Sequence, residues 1–91
     1  MKVEISKDVL FQEVGGEMVL LDLESEQYFG LDPVGARVWT LLSEGADGQL
    51  VVETLLQEYE VERAALEFDV QELLAQLAEA GLIRYVGQPE G

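Results

Sequence analysis

The chain has 91 residues, 48% of them apolar, with no Cys and no His, and its five Lys and Arg against 19 Asp and Glu leave a formal net charge of −14. A chain of this size makes one domain with a modest core. The missing Cys and His remove disulfides, thiolate chemistry, the commonest general base and the commonest transition-metal ligand, and the charge argues against nucleic acid and anionic membrane, both of which demand clustered Lys and Arg.

The N-terminal third reads as strands. Val3 and Ile5 alternate, which suits a short lead-in strand. Val9–Val14 is apolar with partial alternation, and Gly15-Gly16 after it is a hairpin-turn signal, because both residues can take positive φ. Met18–Leu23 follows as a second strand, apolar on both faces, then a turn at Glu24-Ser25-Glu26 and a third strand, Gln27–Leu31. Alternation puts Phe29 and Leu31 on one face of that third strand, and Tyr28 and Gly30 on the other.

Asp32-Pro33 is a helix-start signal. The Asp side chain accepts from the first free N–H groups, and Pro at the first helical position has no N–H to leave unpaired. In the helix that follows, Val34, Val38, Leu41 and Leu42 recur as one apolar face, Trp39 flanks it, and Gly35 and Ala36 permit close approach of another element. Gly45 ends this helix. Asp47 or Gly48 caps the second, whose inward residues are Val51, Val52, Leu55, Leu56 and Tyr59. A soft break at Glu60-Val61-Glu62 precedes the longest helix, about 62–80, with Leu66, Val70, Leu73, Leu74 and Leu77 as its stripe. Gly81 stops it, and Leu82-Ile83 packs beyond as the apolar contact of a C-cap.

Strands followed by helices define an α+β class: a three-stranded antiparallel sheet, then three helices, resembling a winged helix with its sheet at the front. One domain, 1–86, is expected, with a disordered tail over 87–91. No N-terminal apolar run resembles a signal peptide and no 18-residue apolar stretch could span a membrane, so a cytoplasmic protein is expected.

Catalytic chemistry finds little footing. Glu67, Asp69 and Glu72 are neighbouring acids that read as the solvated face of an amphipathic helix rather than an acid pair. No phosphate-binding loop and no calcium-loop spacing of oxygen ligands is present, so neither a cofactor nor a metal is expected. A helix-turn-helix reading fails on charge: residues 46–83 carry nine acids against Arg63, a local charge of −8, which would repel phosphates. Strand addition stands open beside the plainer reading of Tyr28, Phe29 and Leu31 as core residues. An edge strand offers unpaired N–H and C=O groups, and Gln27–Leu31 contains neither Pro nor Lys, the usual blockers.

The run GGEMVLLDLESEQYFGLDPVGARVWTLLSEG resembles the core of the PqqD-like family, the RiPP recognition elements. The shared pattern is an apolar strand ending in Leu-Asp, a turn, Tyr-x-x-Leu, an Asp helix start and Gly-Ala-x-x-Trp. Phe68-Asp69-Val70, Leu73-Leu74 and Gly81-Leu82-Ile83 resemble the family's last helix and its end. The resemblance implies a non-catalytic adaptor for the leader segment of a ribosomally made precursor peptide. The leader would add as a strand beside the third strand and pack on the third helix. Carried onto this chain, the groove comprises Gln27, Tyr28, Phe29, Gly30 and Leu31, with Asp69, Leu73 and Gln76 opposite. Members serving pyrroloquinoline quinone synthesis usually carry a basic, aromatic stretch before the second strand. Here Gln12–Glu17 stands instead, and the chain looks more like the stand-alone proteins of lasso-peptide pathways, which work with a separate peptidase. The competing expectation is an acidic interaction module that binds a cationic partner through its helices.

Overall fold

The computed structural model describes residues 2–86. The segment expected to be a disordered tail, 87–91, lies outside the described residues. The elements run β1 (Lys2–Ile5), β2 (Val9–Val14), β3 (Glu17–Asp22), β4 (Gln27–Leu31), α1 (Pro33–Ser43), α2 (Gly48–Glu58), α3 (Arg63–Glu79) and β5 (Ile83–Val86). None of the described helices is long and apolar enough to cross a membrane.

The strands β2, β3 and β4 form the expected antiparallel sheet, in that order. Gly15 and Gly16 turn between β2 and β3 with φ of 60° and 87°, the left-handed geometry whose twist matches a two-residue hairpin. The β3–β4 turn is tied by Asp22, whose Oδ1 accepts from Glu24 N and whose Oδ2 accepts from Ser25 Oγ. Register then sorts the side chains into rows. Phe11, Leu20 and Phe29 make one row towards the helices, with Met18 and Leu31 beside them. Leu20 is fully buried there, and Met18 and Leu31 nearly so.

Below this face lies α1. Asp32 Oδ1 accepts from Gly35 N at 2.7 Å, so one residue both ends β4 and caps the helix. Asp47 caps α2 in the same way, accepting from Leu50 N at 2.8 Å, and Gly48 is then its first helical residue. The last turn of α3 closes by Gly81 N–H to Ala78 O and Leu82 N–H to Leu77 O, the two bonds of a Schellman cap, with Gly81 at φ 80°. Leu77 and Leu82 are both buried. Val38, Trp39, Val51, Leu55 and Leu74 complete a core between the sheet and the three helices.

Three details differ from the sequence reading. Trp39 does not flank the core but is wholly buried in it, its ring edge-to-face with Phe11 at 5.8 Å. Val34 is 41% exposed, because α1 turns it outward and buries Gly35, packed against Leu31, and Ala36 instead. Tyr59 is the C-cap of α2 rather than an inward residue, and is exposed. A fifth strand was also missed. After the α3 cap, Ile83–Val86 pairs antiparallel with β1, from Ile5 opposite Ile83 to Lys2 opposite Val86, in a separate two-stranded sheet. The two ends of the chain thus close on each other, with Ile83 buried and Val3 and Ile5 packed against the core.

Arg37 on α1 grips Glu58 at the end of α2 in a forked pair, 2.7 Å from Nη2 to Oε2 and 3.0 Å from Nε to Oε1. The hydrogen bonds from Arg37 hold the Glu58 carboxyl below its usual range, and those to Glu58 raise Arg37. Both groups are solvated, so the pair is a modest latch.

Asp32→Ala is expected to lower unfolding free energy by about 0.5–2 kcal/mol, read by urea denaturation, because it removes the cap of α1. Glu58 stabilises the fold above its unfolded-state value near ~4.3 and loses that contribution as pH falls through its lower folded value. Urea midpoints of the parent and Glu58→Gln should therefore differ at pH 7 and converge as the pH drops below about 4. A gap that widens on acidification would contradict the latch.

Candidate functional site

Edge strand β4 has β3 on one side, and among the described residues no strand lies on the other. Its outward N–H and C=O groups are therefore free to pair with an extended chain. Beside this edge runs α3, and between them lies a groove of about 440 Å³. Phe29, Gly30 and Leu31 line it from the strand, and Asp69, Leu73 and Gln76 from the helix, so six of the eight residues expected from the sequence meet here. Leu31 is buried and forms floor, while Phe29 and Leu73 are each only partly covered and present apolar surface.

The other two expected residues sit apart from the groove. Gln27 is at the far end of the strand, opposite Asp22. Tyr28 points to the other face of the sheet and is 73% exposed. Alternation turns Tyr28 away, whereas Gln27 shares the face of Phe29 and Leu31 and is set apart by its distance along the strand.

Four residues that sequence reading did not assign also line the groove: Asp32, Val34, Gly35 and Glu72. Glu72 was findable, since residues 69, 72, 73 and 76 recur at i, i+3, i+4 and i+7 and so share one helix face. The exposure of Val34, anomalous for an amphipathic helix, is accounted for by its place on the groove rim. Gly35 is held by close packing, since a Cβ there would lie 3.2 Å from Asp32 Oδ1 and 3.4 Å from Leu31.

The groove carries three carboxylates, Asp32, Asp69 and Glu72, and no cation. Asp32 is engaged by the α1 N-terminus, which leaves Asp69 and Glu72 facing whatever binds. Among the described residues no group of three or more His, Cys, Asp or Glu could hold a metal ion. A larger concavity of about 600 Å³ lies between α2, α3 and the β1–β5 pair, but none of its lining residues belongs to β4. Arg63 on its rim is already paired with Glu67 at 3.1 Å. Size alone would favour that hollow, whereas free backbone groups favour the β4 edge.

A three-stranded antiparallel sheet on three helices, with an open edge strand facing the last of them, is the architecture of a PqqD-like RiPP recognition element. The family model for coenzyme PQQ synthesis protein D (PqqD) matches residues 17–83, and the chain belongs to this family. It is similar to TbiB1, solved in complex with the TbiA(beta) leader peptide, at 39% identity over 99% of this chain and 100% of that one, with a TM-score of 0.85. It is similar also to lasso peptide synthetase B1, solved with the leader peptide, at 29% identity over 93% of this chain and 100% of that one, with a TM-score of 0.84. No curated protein matches significantly in sequence.

Gly30 has nothing within 4 Å of the position a Cβ would take, and its φ is not positive. Gly30→Thr should therefore raise stability by about 0.5–1 kcal/mol in thermal or urea unfolding, by relieving the glycine penalty in a strand. Destabilisation would show that the face Gly30 shares with Val19 is less open than described.

Proposed function

We propose that the protein is a non-catalytic adaptor that binds the leader segment of a ribosomally synthesised precursor peptide. The leader adds as a strand to β4, and its inward side chains enter the groove against α3. The observation that carries this reading is the unpaired edge of Gln27–Leu31 facing the half-covered apolar surface of Phe29 and Leu73. The leader-bound state of both similar solved structures supports it. The adaptor then delivers the leader to a maturation enzyme, which we take to be a lasso-peptide leader peptidase in the cytoplasm.

The energetics suit such a role. Each added backbone hydrogen bond contributes ~0.5–1.5 kcal/mol net, and each fully buried apolar anchor ~1.5–3 kcal/mol. Ordering a flexible peptide offsets part of this. A submicromolar Kd corresponds to about −8 kcal/mol or better, within reach of a few anchors. Holding the leader beside the enzyme raises its effective concentration without catalysis by the adaptor, consistent with a chain that has neither His nor Cys.

Titrating a fluorescent leader from the adjacent precursor gene into the protein tests the proposal by polarisation. Saturable binding is expected, weakened about tenfold or more by Leu73→Asp and by Phe29→Ala, with circular dichroism confirming that each variant folds. N-methylation or proline at leader positions that donate to β4 should weaken binding at alternate residues. No binding at tens of micromolar protein would end the proposal. Loss of binding only on reversing the outer charges of α2 and α3, with the groove variants unaffected, would instead favour an acidic module for a cationic partner.

A further inference from the structure

Gly30 is a glycine that the fold itself does not need. Its φ is not positive, and a Cβ placed on it would meet nothing within 4 Å. Glycine inside a strand costs conformational entropy and packs nothing, so it marks a bulge or a place where another chain comes close. The β3–β4 register runs without a bulge, from Asp22 opposite Gln27 to Met18 opposite Leu31. That leaves close approach, and Gly30 lies on the open edge of the sheet.

The phase of the ladder shows how a chain would meet it. The two-residue turn at Gly15-Gly16 makes Val14 and Glu17 a hydrogen-bonded pair, and such pairs alternate along antiparallel strands. Leu23 N donates to Asp8 O at 2.8 Å, which keeps the same phase at the far end. The backbone groups of Val19 and Leu21 therefore face β2, and those of Met18, Leu20 and Asp22 face β4. Opposite Val19 and Leu21, Gly30 and Tyr28 turn their N–H and C=O groups outward, away from β3. A strand added at β4 exchanges its hydrogen bonds with these two residues. The added residue directly opposite Gly30 then carries its side chain on the face away from the helices, beside a position that has none. Across that gap stands Val19, 39% exposed, and two residues back along β4 stands Tyr28, 73% exposed.

We propose that Gly30 is a specificity-determining residue: the leader residue paired with it is aromatic, and its ring lies across Gly30 onto Val19, beside Tyr28. The proposal rests on the leader-binding reading above. A ring laid over a strand glycine recovers the packing that the glycine forgoes, and aromatic against β-branched is a favourable cross-strand pairing. Val19 stands two strand spacings from the added strand, about 9–10 Å, so the side chain that bridges Gly30 must be long. A planar ring covers that distance with few rotatable bonds to freeze.

The test titrates Gly30→Ala and Gly30→Thr with the labelled leader encoded beside the adaptor and with alanine-scanned copies of that leader. Stability and binding are expected to move in opposite directions, which damage to the fold would not produce. The urea midpoint should rise in both variants, while the leader Kd weakens about threefold for Gly30→Ala and about tenfold for Gly30→Thr. In the scan, truncating one aromatic leader residue should cost about tenfold with the parent and less than about twofold with Gly30→Thr. Phe29→Ala, on the other face of β4, should weaken binding as a whole but keep that dependence. Gly30→Thr binding the leader as tightly as the parent overturns the proposal, as does a leader whose truncations cost the same in both proteins. A parent that binds no leader ends the leader reading and this one together. A parent that binds it, with Gly30→Thr making no difference, ends this one alone.

Discussion

The junction at Asp32 constrains everything else in the molecule. Its side chain accepts from Gly35 N and caps α1, while its backbone ends β4, so strand and helix are joined with no slack between them. That forces α1 under the sheet, buries Leu31 and brings Gly35 against it. Pro33, lacking an N–H, cannot prolong the ladder of β4, and the polypeptide leaves the sheet plane there. Among the described residues no strand follows to cover the far side of β4, which stays open along that edge. The same junction supplies one wall of the groove, because Asp32, Val34 and Gly35 line it together with the strand residues before them.

The opposite wall depends on α3, and α3 is held from both ends. Its N-terminal turn packs towards α2, and its C-terminal Schellman cap hands the chain to β5, which pairs with β1 at the other end of the sequence. Burial of Leu66, Val70, Leu74 and Leu77 sets the helix rotation. That rotation turns Asp69, Leu73 and Gln76 to the groove as a by-product of core packing. A binding site assembled in this way is preformed, which lowers the ordering cost of binding on the protein's side and leaves it mostly with the peptide.

Local signals made much of this legible in the sequence. Gly15-Gly16, Asp32-Pro33, Asp47 and Gly81 each mark a turn or cap by a short-range physical requirement, and the structure uses all of them. Both halves of the groove came from the family resemblance; the strand half had support of its own in an edge without Pro or Lys, whereas the rotation of α3, and so its groove residues, is not fixed by sequence. Long-range features were harder. Ile83–Val86 is four residues long and directly follows a helix cap, so nothing local distinguishes it from a frayed end. Its partner β1 lies some eighty positions away, and pairing at that separation leaves no periodic trace. Val34 and Trp39 were misplaced because an apolar stripe fixes a helix face only to within a residue or so. The tight contact at Gly35 decided which residue turned inward.

The central claim is that β4 is the strand a peptide joins. Hydrogen–deuterium exchange of the backbone amides, with and without saturating leader peptide, tests it most directly, since exchange reports pairing of individual N–H groups. The account predicts that the β4 amides within Gln27–Leu31 that point away from β3 become protected on binding, with lesser protection along the groove face of α3, while β2 at the opposite edge is unchanged. Protection at β2, or at α2 and α3 without β4, would contradict it.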